Sequence, residues 1–185
     1  MRFELRFAPD TEETLAFLVA LVNTAPGASR SGEDEVPGVP ELMALLDEFR
    51  YSGRRDRDDA ELAQVKRTRS RLRHMFDLDR DEAVTEVNTM LRDGRALPFL
   101  TRHDDFDWHL HATEPGAPLA ERMRVEVALA LVDVIRGDEW DRLRVCEAHD
   151  CDGVLLDLSR NGAKRYCSVR CGNRMNMIAY RRRLG

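Results

Sequence analysis

The sequence predicts a mainly α-helical protein: a helical N-terminal domain with one small β-hairpin, then a small C-terminal module of a short hairpin and one helix. Three observations lead to this prediction. Apolar residues recur at helical spacing over most of the first 140 residues. Near residue 105 a polar turn separates two apolar segments. All four cysteines lie in the last quarter of the chain. We therefore expect two domains, residues 1–140 and 141–185.

Four helices are predicted ahead of the hairpin. Each begins at a capping or proline signal, and these signals are residues 10–13, Pro40, about Asp58 and residues 79–82. Residues 25–38 are rich in Pro, Gly, Ser and acidic residues and have no period, which indicates a loop between the first two helices. Gly94 is expected to end the fourth helix.

The hairpin and a long helix complete the N-terminal domain. Residues 97–101 and 106–111 flank the polar turn at residues 103–105, which favours two short antiparallel strands. Pro118 then begins a helix that Gly137 ends.

Two further features of this domain have a structural and a functional interpretation. Asn23 and Trp108 could line a pocket between helices for a small-molecule effector, although packing and a local hydrogen bond explain them as well. His109 and His111 share one face of the second strand, where we favour surface histidines over a metal site.

Composition limits the class of protein. The 185 residues are 43% hydrophobic and 34% charged, which suits a globular domain and excludes a disordered tail protein. The longest apolar run, residues 15–22, is far shorter than the ~20 residues of a membrane-spanning helix, and the N-terminus lacks an apolar signal core. We expect a cytoplasmic protein without membrane contact. Common enzyme signatures are absent as well, so we expect that it is not an enzyme.

Charge is distributed unevenly along the chain. The formal net charge is −5, but residues 142–185 carry ten Lys or Arg against four Asp or Glu, a net charge of +6. The preceding 141 residues therefore have a net charge of −11. A basic segment after an acidic one is typical of a tail that binds a polyanion, and it is equally compatible with mutual attraction between the two parts.

The cysteines form two short-range pairs in the pattern C-x4-C-x15-C-x3-C, namely Cys146, Cys151, Cys167 and Cys171. Zinc in structural sites takes four such ligands from two pairs. Ser168 is expected to cap a helix just after the third cysteine, so that the fourth lies in its first turn. Between the pairs, residues 153–166 suggest a short hairpin with a turn at Asn161-Gly162.

The pattern predicts one structural zinc ion. Two disulfides conflict with a cytoplasmic chain, and ordinary core thiols have no reason to cluster in pairs. His149 lies between the first pair and could replace one ligand, although four cysteines suffice. Four thiolates leave no open position for a substrate, so we expect no catalysis at the metal and no catalytic residues.

The same residues resemble the signature of the CGNR zinc-finger family, in residues 159–162, 166–168 and 171–174. In that family a helical domain called ABATE precedes the finger, and the proteins are described as stress-induced transcriptional regulators of bacteria. The resemblance is specific over residues 146–183 and much weaker upstream, where it rests mainly on residues 21–24. It implies four Cys ligands and a DNA-binding role, and leaves the role of the upstream domain open.

The last helix is the candidate contact with double-stranded DNA. Arg and Asn side chains read guanine and adenine edges in the major groove, while terminal Arg residues bind phosphates. The candidates are Lys164 and Arg165 on the predicted hairpin, and Arg170, Asn173, Arg174, Asn176, Arg181, Arg182 and Arg183 on the helix. The alternatives are a basic helix that pairs with the acidic body, a protein- or RNA-interaction module, and a ligand-binding protein whose activity resides in the helical domain. A homodimer formed through the helical body would double the DNA contacts.

Overall fold

The computed structural model describes residues 7–102 and 107–184. Within these ranges the chain forms six α-helices and two antiparallel pairs of short strands. In chain order these are α1 (Pro9–Asn23), α2 (Val39–Glu48), α3 (Asp59–His74), α4 (Arg80–Asp93), β1 (Phe99–Thr101), β2 (His109–His111), α5 (Leu119–Arg136), β3 (Leu143–Val145), β4 (Val154–Leu156) and α6 (Val169–Leu184). The mainly helical fold class is confirmed.

The helix boundaries follow local signals with one exception. Asp79 and Glu82 form the expected capping box of α4, and Asp58 caps α3 by accepting a hydrogen bond from the Glu61 backbone N–H at 2.8 Å. The capping box expected at residues 10–13 is wrong, because α1 already begins at Pro9. The fixed φ of proline suits the first helical position, and no described side chain caps this end of α1.

The core of the body lies around α5, which packs against α1, α3 and α4. Apolar side chains at helical spacing on these helices are almost fully buried, among them Leu18, Leu72, Met123 and Leu131. Burying one such side chain stabilises a fold by roughly 1.5–3 kcal/mol. Hydrophobic burial therefore accounts for the position of these four helices.

The first hairpin is confirmed and the second differs from the prediction. In the first, Leu100 lies opposite Leu110, and the predicted turn at residues 103–105 lies outside the described residues. In the second, β4 pairs with β3, which precedes the first cysteine, instead of with residues 164–166. Leu143 and Val145 of β3 and Val154 and Leu156 of β4 pack in or against the core, whereas residues 164 and 165 are polar and exposed.

The C-terminal module is attached to the body through backbone and amide contacts. The Asn23 side chain at the end of α1 donates to the Val154 carbonyl at 2.9 Å and accepts from the Val154 N–H at 2.8 Å. The Asp152 N–H donates to the Gly27 carbonyl at 3.1 Å. Leu143 and Val154 also join the core of the body, so apolar packing continues from the body into β3 and β4.

Among the described residues, no helix combines the length and the apolar character needed to cross a membrane.

Candidate metal centre and basic helix

The four cysteines converge because each lies at the end of a regular element. Cys146 follows β3, and Cys151 lies three residues before β4. Cys167 lies two residues before α6, and Cys171 lies in the first turn of that helix. The Ser168 hydroxyl accepts a hydrogen bond from the Cys171 N–H at 3.2 Å, which confirms Ser168 as the cap of α6.

The four sulfur atoms lie within 4.8 Å of one another. The Sγ–Sγ distances from Cys167 to Cys151 and to Cys171 are both 3.7 Å. Ligands about 2.3 Å from a tetrahedral zinc ion are about 3.8 Å apart, whereas a disulfide joins its sulfurs at about 2.05 Å. All four cysteines are free thiols, so the arrangement fits one zinc ion and does not fit disulfides.

Backbone and side-chain N–H groups surround the sulfur atoms. The Gly153 N–H donates to the Cys151 sulfur at 3.4 Å, and the Cys167 N–H donates to the Cys146 sulfur at 3.5 Å. The Arg174 guanidinium reaches the Cys171 sulfur at 3.7 Å. Donors of this kind stabilise thiolates and orient metal ligands. The site therefore has the surroundings that a zinc tetrathiolate requires.

Gly153 leaves room for two of the ligands. A Cβ atom at this position would lie 2.9 Å from the Cys167 sulfur and 3.2 Å from the Cys151 sulfur. Both distances are shorter than ordinary contacts, so a side chain would displace the sulfur atoms. The tight turn between the first cysteine pair and β4 thus requires glycine.

Burial alone does not favour four ionised thiols. It raises the pKa of the Cys151 thiol, and it raises the pKa of the Cys167 thiol more strongly. Burial also opposes ionisation of Cys171, but hydrogen bonds, first with Ser168 and then with the other cysteines, lower its pKa. A bound cation supplies the opposite charge that lets all four thiolates coexist.

Asp157, which sequence analysis missed, organises the turn between the cysteine pairs. Its buried carboxylate accepts hydrogen bonds from the Ser159 N–H at 2.9 Å and the Lys164 N–H at 2.7 Å. Burial acts to raise the pKa of this carboxyl, but its hydrogen bonds with Ser159 and Lys164 outweigh burial, and the net pKa is lowered. The signal in the sequence was an Asp two residues before a Ser, the spacing of an Asx turn.

Several candidate nucleic-acid residues contact the protein itself. Arg174 forms an ion pair with Asp150 at 2.7 Å, and the Arg170 guanidinium donates to the backbone carbonyl of Arg30 in the loop after α1. Arg165 pairs with Glu147 at 2.6 Å. The Lys164 ammonium lies 3.4 Å from the Leu156 carbonyl. These four residues position the module, and all except Arg174 are also exposed.

The remaining candidates lie together on the exposed part of α6. Asn173, Asn176, Arg181, Arg182 and Arg183 are exposed, and none of the three arginines forms an ion pair with another described residue. Two exposed side chains accompany them, Met177 at 52% and Tyr180 at 55% exposure. We call these exposed side chains of α6 the distal face, namely Asn173, Asn176, Met177, Tyr180, Arg181, Arg182 and Arg183.

The basic residues of α3, among them Arg69 and Arg71, have a different environment from those of the distal face. Arg69 forms a two-pronged ion pair with Asp34 at 2.7 and 2.9 Å, and Arg71 pairs with Glu86 at 2.5 Å. The Arg69 guanidinium, whose hydrogen bonds matter more than burial here, holds the pKa of Asp34 well below its usual range. These two cations stabilise the body through ion pairs with carboxylates of other segments.

Asn23 and Trp108, which we expected to line a pocket, lie in other surroundings. Asn23 uses its amide to bind β4, and Trp108 is 64% exposed beneath the Arg102 guanidinium. A cavity is present instead between α1, α5 and β2, and neither residue lines it. Alternation along the strand correctly placed His109 and His111 on one face, with their Nε2 atoms 3.0 Å apart.

Comparison with protein families agrees with this organisation. The ABATE model, described as "Putative stress-induced transcription regulator", matches residues 15–138, and the CGNR zinc finger matches residues 142–184. No curated protein matches the chain. The chain therefore belongs to the ABATE family and carries a C-terminal CGNR zinc finger, whose four clustered cysteines fit a single structural zinc ion.

Proposed function

We propose that this protein is a transcription regulator that binds double-stranded DNA through the distal face of α6, with zinc in a purely structural role. The observation that carries the proposal is the exposure of Arg181, Arg182 and Arg183 without acidic partners among the described residues. Some arginines of the body are paired, as Arg71 with Glu86, and exposed ones without an ion pair to a described residue, such as Arg67 and Arg92, are separated along the chain. The three terminal arginines of α6 are consecutive, and exposed cations without acidic partners are available to phosphates.

The geometry supports this assignment of roles along α6. Its first turn contributes Cys171 to the metal centre, so the metal fixes the direction of the helix. Asn173 and Asn176 then lie exposed in the middle of the helix, where amide groups can reach adenine edges. The terminal arginines follow at the end, where they can bind phosphates and set the register.

The charge of the module limits the affinity. Residues 142–185 have a net charge of +6, and a zinc ion bound to four thiolates contributes −2, which leaves about +4. A single finger of this charge is expected to bind DNA weakly and with strong salt dependence. A homodimer would double the contacts and could read two half-sites, which light scattering with and without DNA can test.

Catalysis is not part of the proposal. The four cysteines all serve as ligands, so no thiol remains as a nucleophile, and a tetrathiolate zinc ion offers no open coordination position. We accordingly propose a binding protein without catalytic activity. We also propose that it acts in the cytoplasm, and in a bacterium, as the family resemblance implies.

The test is fluorescence anisotropy of the zinc-loaded protein with random-sequence duplex DNA between 50 and 200 mM salt. Replacing Arg181, Arg182 and Arg183 together by Ala removes up to three phosphate contacts. We expect the slope of log K against log salt to fall in magnitude by up to about 2.7, since each contact contributes about 0.9. A matched control replaces Arg67, Arg92 and Arg136, which are exposed on the body, and should leave the slope unchanged.

Two results would contradict the proposal. One is no binding of duplex DNA at the lowest salt. The other is an equal loss in both triple variants, because binding would then follow net charge instead of the distal face.

RNA binding is a second candidate, favoured by one observation. Tyr180 is 55% exposed next to the terminal arginines, and aromatic side chains stack on unpaired bases. Single-stranded RNA should then compete with duplex DNA, and Tyr180→Ala should weaken RNA binding much more than DNA binding.

A further inference from the structure

A cavity of about 110 Å³ lies between α1, α5, β2 and the residues that follow α2. One wall is aromatic: the Phe17 ring centroid lies 5.4 Å from that of Phe49 and 5.0 Å from that of Tyr51. Val127 and Ala130 of α5 extend the apolar lining. Cavities with an apolar lining and a few converging polar groups are the usual binding sites for small molecules.

Two polar groups converge inside this cavity. The Tyr51 hydroxyl is buried and forms no well-aligned hydrogen bond within the described residues, although it lies close to the Glu126 carboxylate. Burial, and then the negative charge and hydrogen-bonding contact of Glu126, raise the pKa of this phenol well above its usual range, so it stays protonated. The Glu126 side chain is only 16% exposed, and His111 Nδ1 lies 3.4 Å from its Oε1. The carboxylate and the phenol oxygen can both accept further hydrogen bonds, so this part of the cavity favours a ligand with hydrogen-bond donors.

The described lining residues carry an excess of negative charge. The carboxylates are Asp10, Glu13, Glu126 and Asp133. The basic residues that face them are Arg50, His109 and His111. The Arg122 guanidinium lies 5.5 Å from the Tyr51 ring centroid and adds one positive charge. Carboxylates remain in excess while either imidazole is neutral, so the cavity then favours a cation over an anion.

We infer that this cavity binds a small primary alkylammonium ion. Its ammonium group lies between Glu126 and Tyr51, and its alkyl chain lies against the aromatic wall. An ammonium has three donors, which match the Glu126 carboxylate and the Tyr51 oxygen as acceptors. Aromatic faces attract cations in addition. A cavity of about 150 Å³ can hold benzene. A volume of about 110 Å³ therefore suits an ammonium ion with a short alkyl chain.

A metal ion fits the cavity less well than an organic cation. Within the part of the chain that the structure describes, the four cysteines are the one group of three or more potential ligands with atoms close enough to share an ion. The His109, His111 and Glu126 side chains contact one another in a row. This arrangement does not converge on a common centre.

The test uses n-butylammonium as the probe and the zinc-loaded full chain. Binding is followed at pH 7.5 by ¹H–¹⁵N NMR titration to about 20 mM, with 1-butanol and pentanoate as neutral and anionic probes of similar size. We expect saturable shifts at residues around Tyr51 and Glu126, with a Kd on the order of 1 mM for so small a ligand. Neither 1-butanol nor pentanoate should bind as tightly.

Two variants locate the ammonium group. Glu126→Gln should weaken binding at least about tenfold, because it removes the charged acceptor. Tyr51→Phe removes only the hydroxyl and keeps the ring in the aromatic wall, so it should leave folding intact and weaken binding about three- to tenfold. Glu121→Gln is the matched control, since Glu121 lies on the same helix and does not line the cavity.

Three results would overturn the inference: no saturable binding of n-butylammonium to the wild-type chain, equal or tighter binding of pentanoate, or undiminished binding to Glu126→Gln. The readout needs no DNA, so the inference and the proposed function can fail separately.

Discussion

The helical body and the zinc module use different sources of stability. Eleven of the twelve largest fully buried side chains lie before residue 140, and only Leu155 belongs to the module. Around the cysteines the separate cluster of buried residues consists of Cys146, Ala148 and Cys171. The body can therefore fold through hydrophobic burial, whereas the surroundings of the cysteines have too little apolar surface and depend on the metal.

Among the described residues, both regions contain paired and unpaired arginines. On the body, Arg69 and Arg71 form ion pairs with carboxylates from other segments, whereas exposed Arg67 has no ion pair with a described residue. In the module, Arg174 and Arg165 are paired in this way, but the arginines at the end of α6 are not paired with any described residue. The comparison shows that a basic run in the sequence can be structural or available for binding, and that long-range partners decide which.

Removing zinc should reveal the largest difference in stability between the body and the module. Structural zinc contributes about 10–16 kcal/mol to the folding of zinc-finger peptides, so a chelator should unfold α6 and the cysteine loops. The body should remain folded, since its core contains no ligand. Circular dichroism should record the loss of the sixteen-residue α6, while NMR signals of α3 to α5 persist. Cooperative unfolding of the whole chain, or no change, would show that the two regions do not differ in this way.

Gly153→Ala should have the next largest effect. The added Cβ would lie 2.9 Å from the Cys167 sulfur and 3.2 Å from the Cys151 sulfur, so the ligands must move. We expect zinc affinity to fall at least about tenfold, as for changes near metal ligands, in competition with a chromophoric chelator. Gly116→Ala is the control because its Cβ meets nothing within 4 Å. Equal zinc affinities for the two variants would contradict the geometry of the site.

Asp157→Asn should have a smaller effect, about 1–3 kcal/mol at pH 7, because the Ser159 and Lys164 N–H groups lose their charged acceptor. The folded-state pKa of Asp157 is lowered, so its stabilisation is present above the ordinary Asp pKa and is lost as pH falls through the lowered value. The difference in unfolding free energy between wild type and variant should stay constant from pH 7 to 5. Denaturant unfolding in zinc buffer measures it, with exposed Asp141→Asn as the control. A difference that shrinks over this range would place the pKa of Asp157 higher.

Local patterns predicted much of the fold and the whole zinc ligand set. Helices α3, α4 and α5 follow from apolar period, caps and end glycines, which act over a few residues. The cysteines are equally local, because zinc ligands come as short-range pairs. The division into residues 1–140 and 141–185 stays a prediction, which rests on the helical period and the positions of the cysteines.

Long-range contacts could not be predicted from these patterns. The pairing of β3 with β4, the binding of Asn23 to β4 and the contacts of Arg170 and Arg174 join residues that are distant in sequence or on different elements. Asn23 illustrates the limit: its type and position on α1 suggested a pocket, but its partner lies 131 residues away. The sequence around Asn23 does not identify a partner that lies so far along the chain.

The most direct test of the central claim is X-ray absorption at the zinc edge of the full chain, purified without chelator. We expect one zinc ion per chain with four sulfur ligands at about 2.3 Å. A nitrogen ligand, as His149 would supply, or markedly less than one zinc ion per chain would contradict the claim that four cysteines and one metal ion hold the module together.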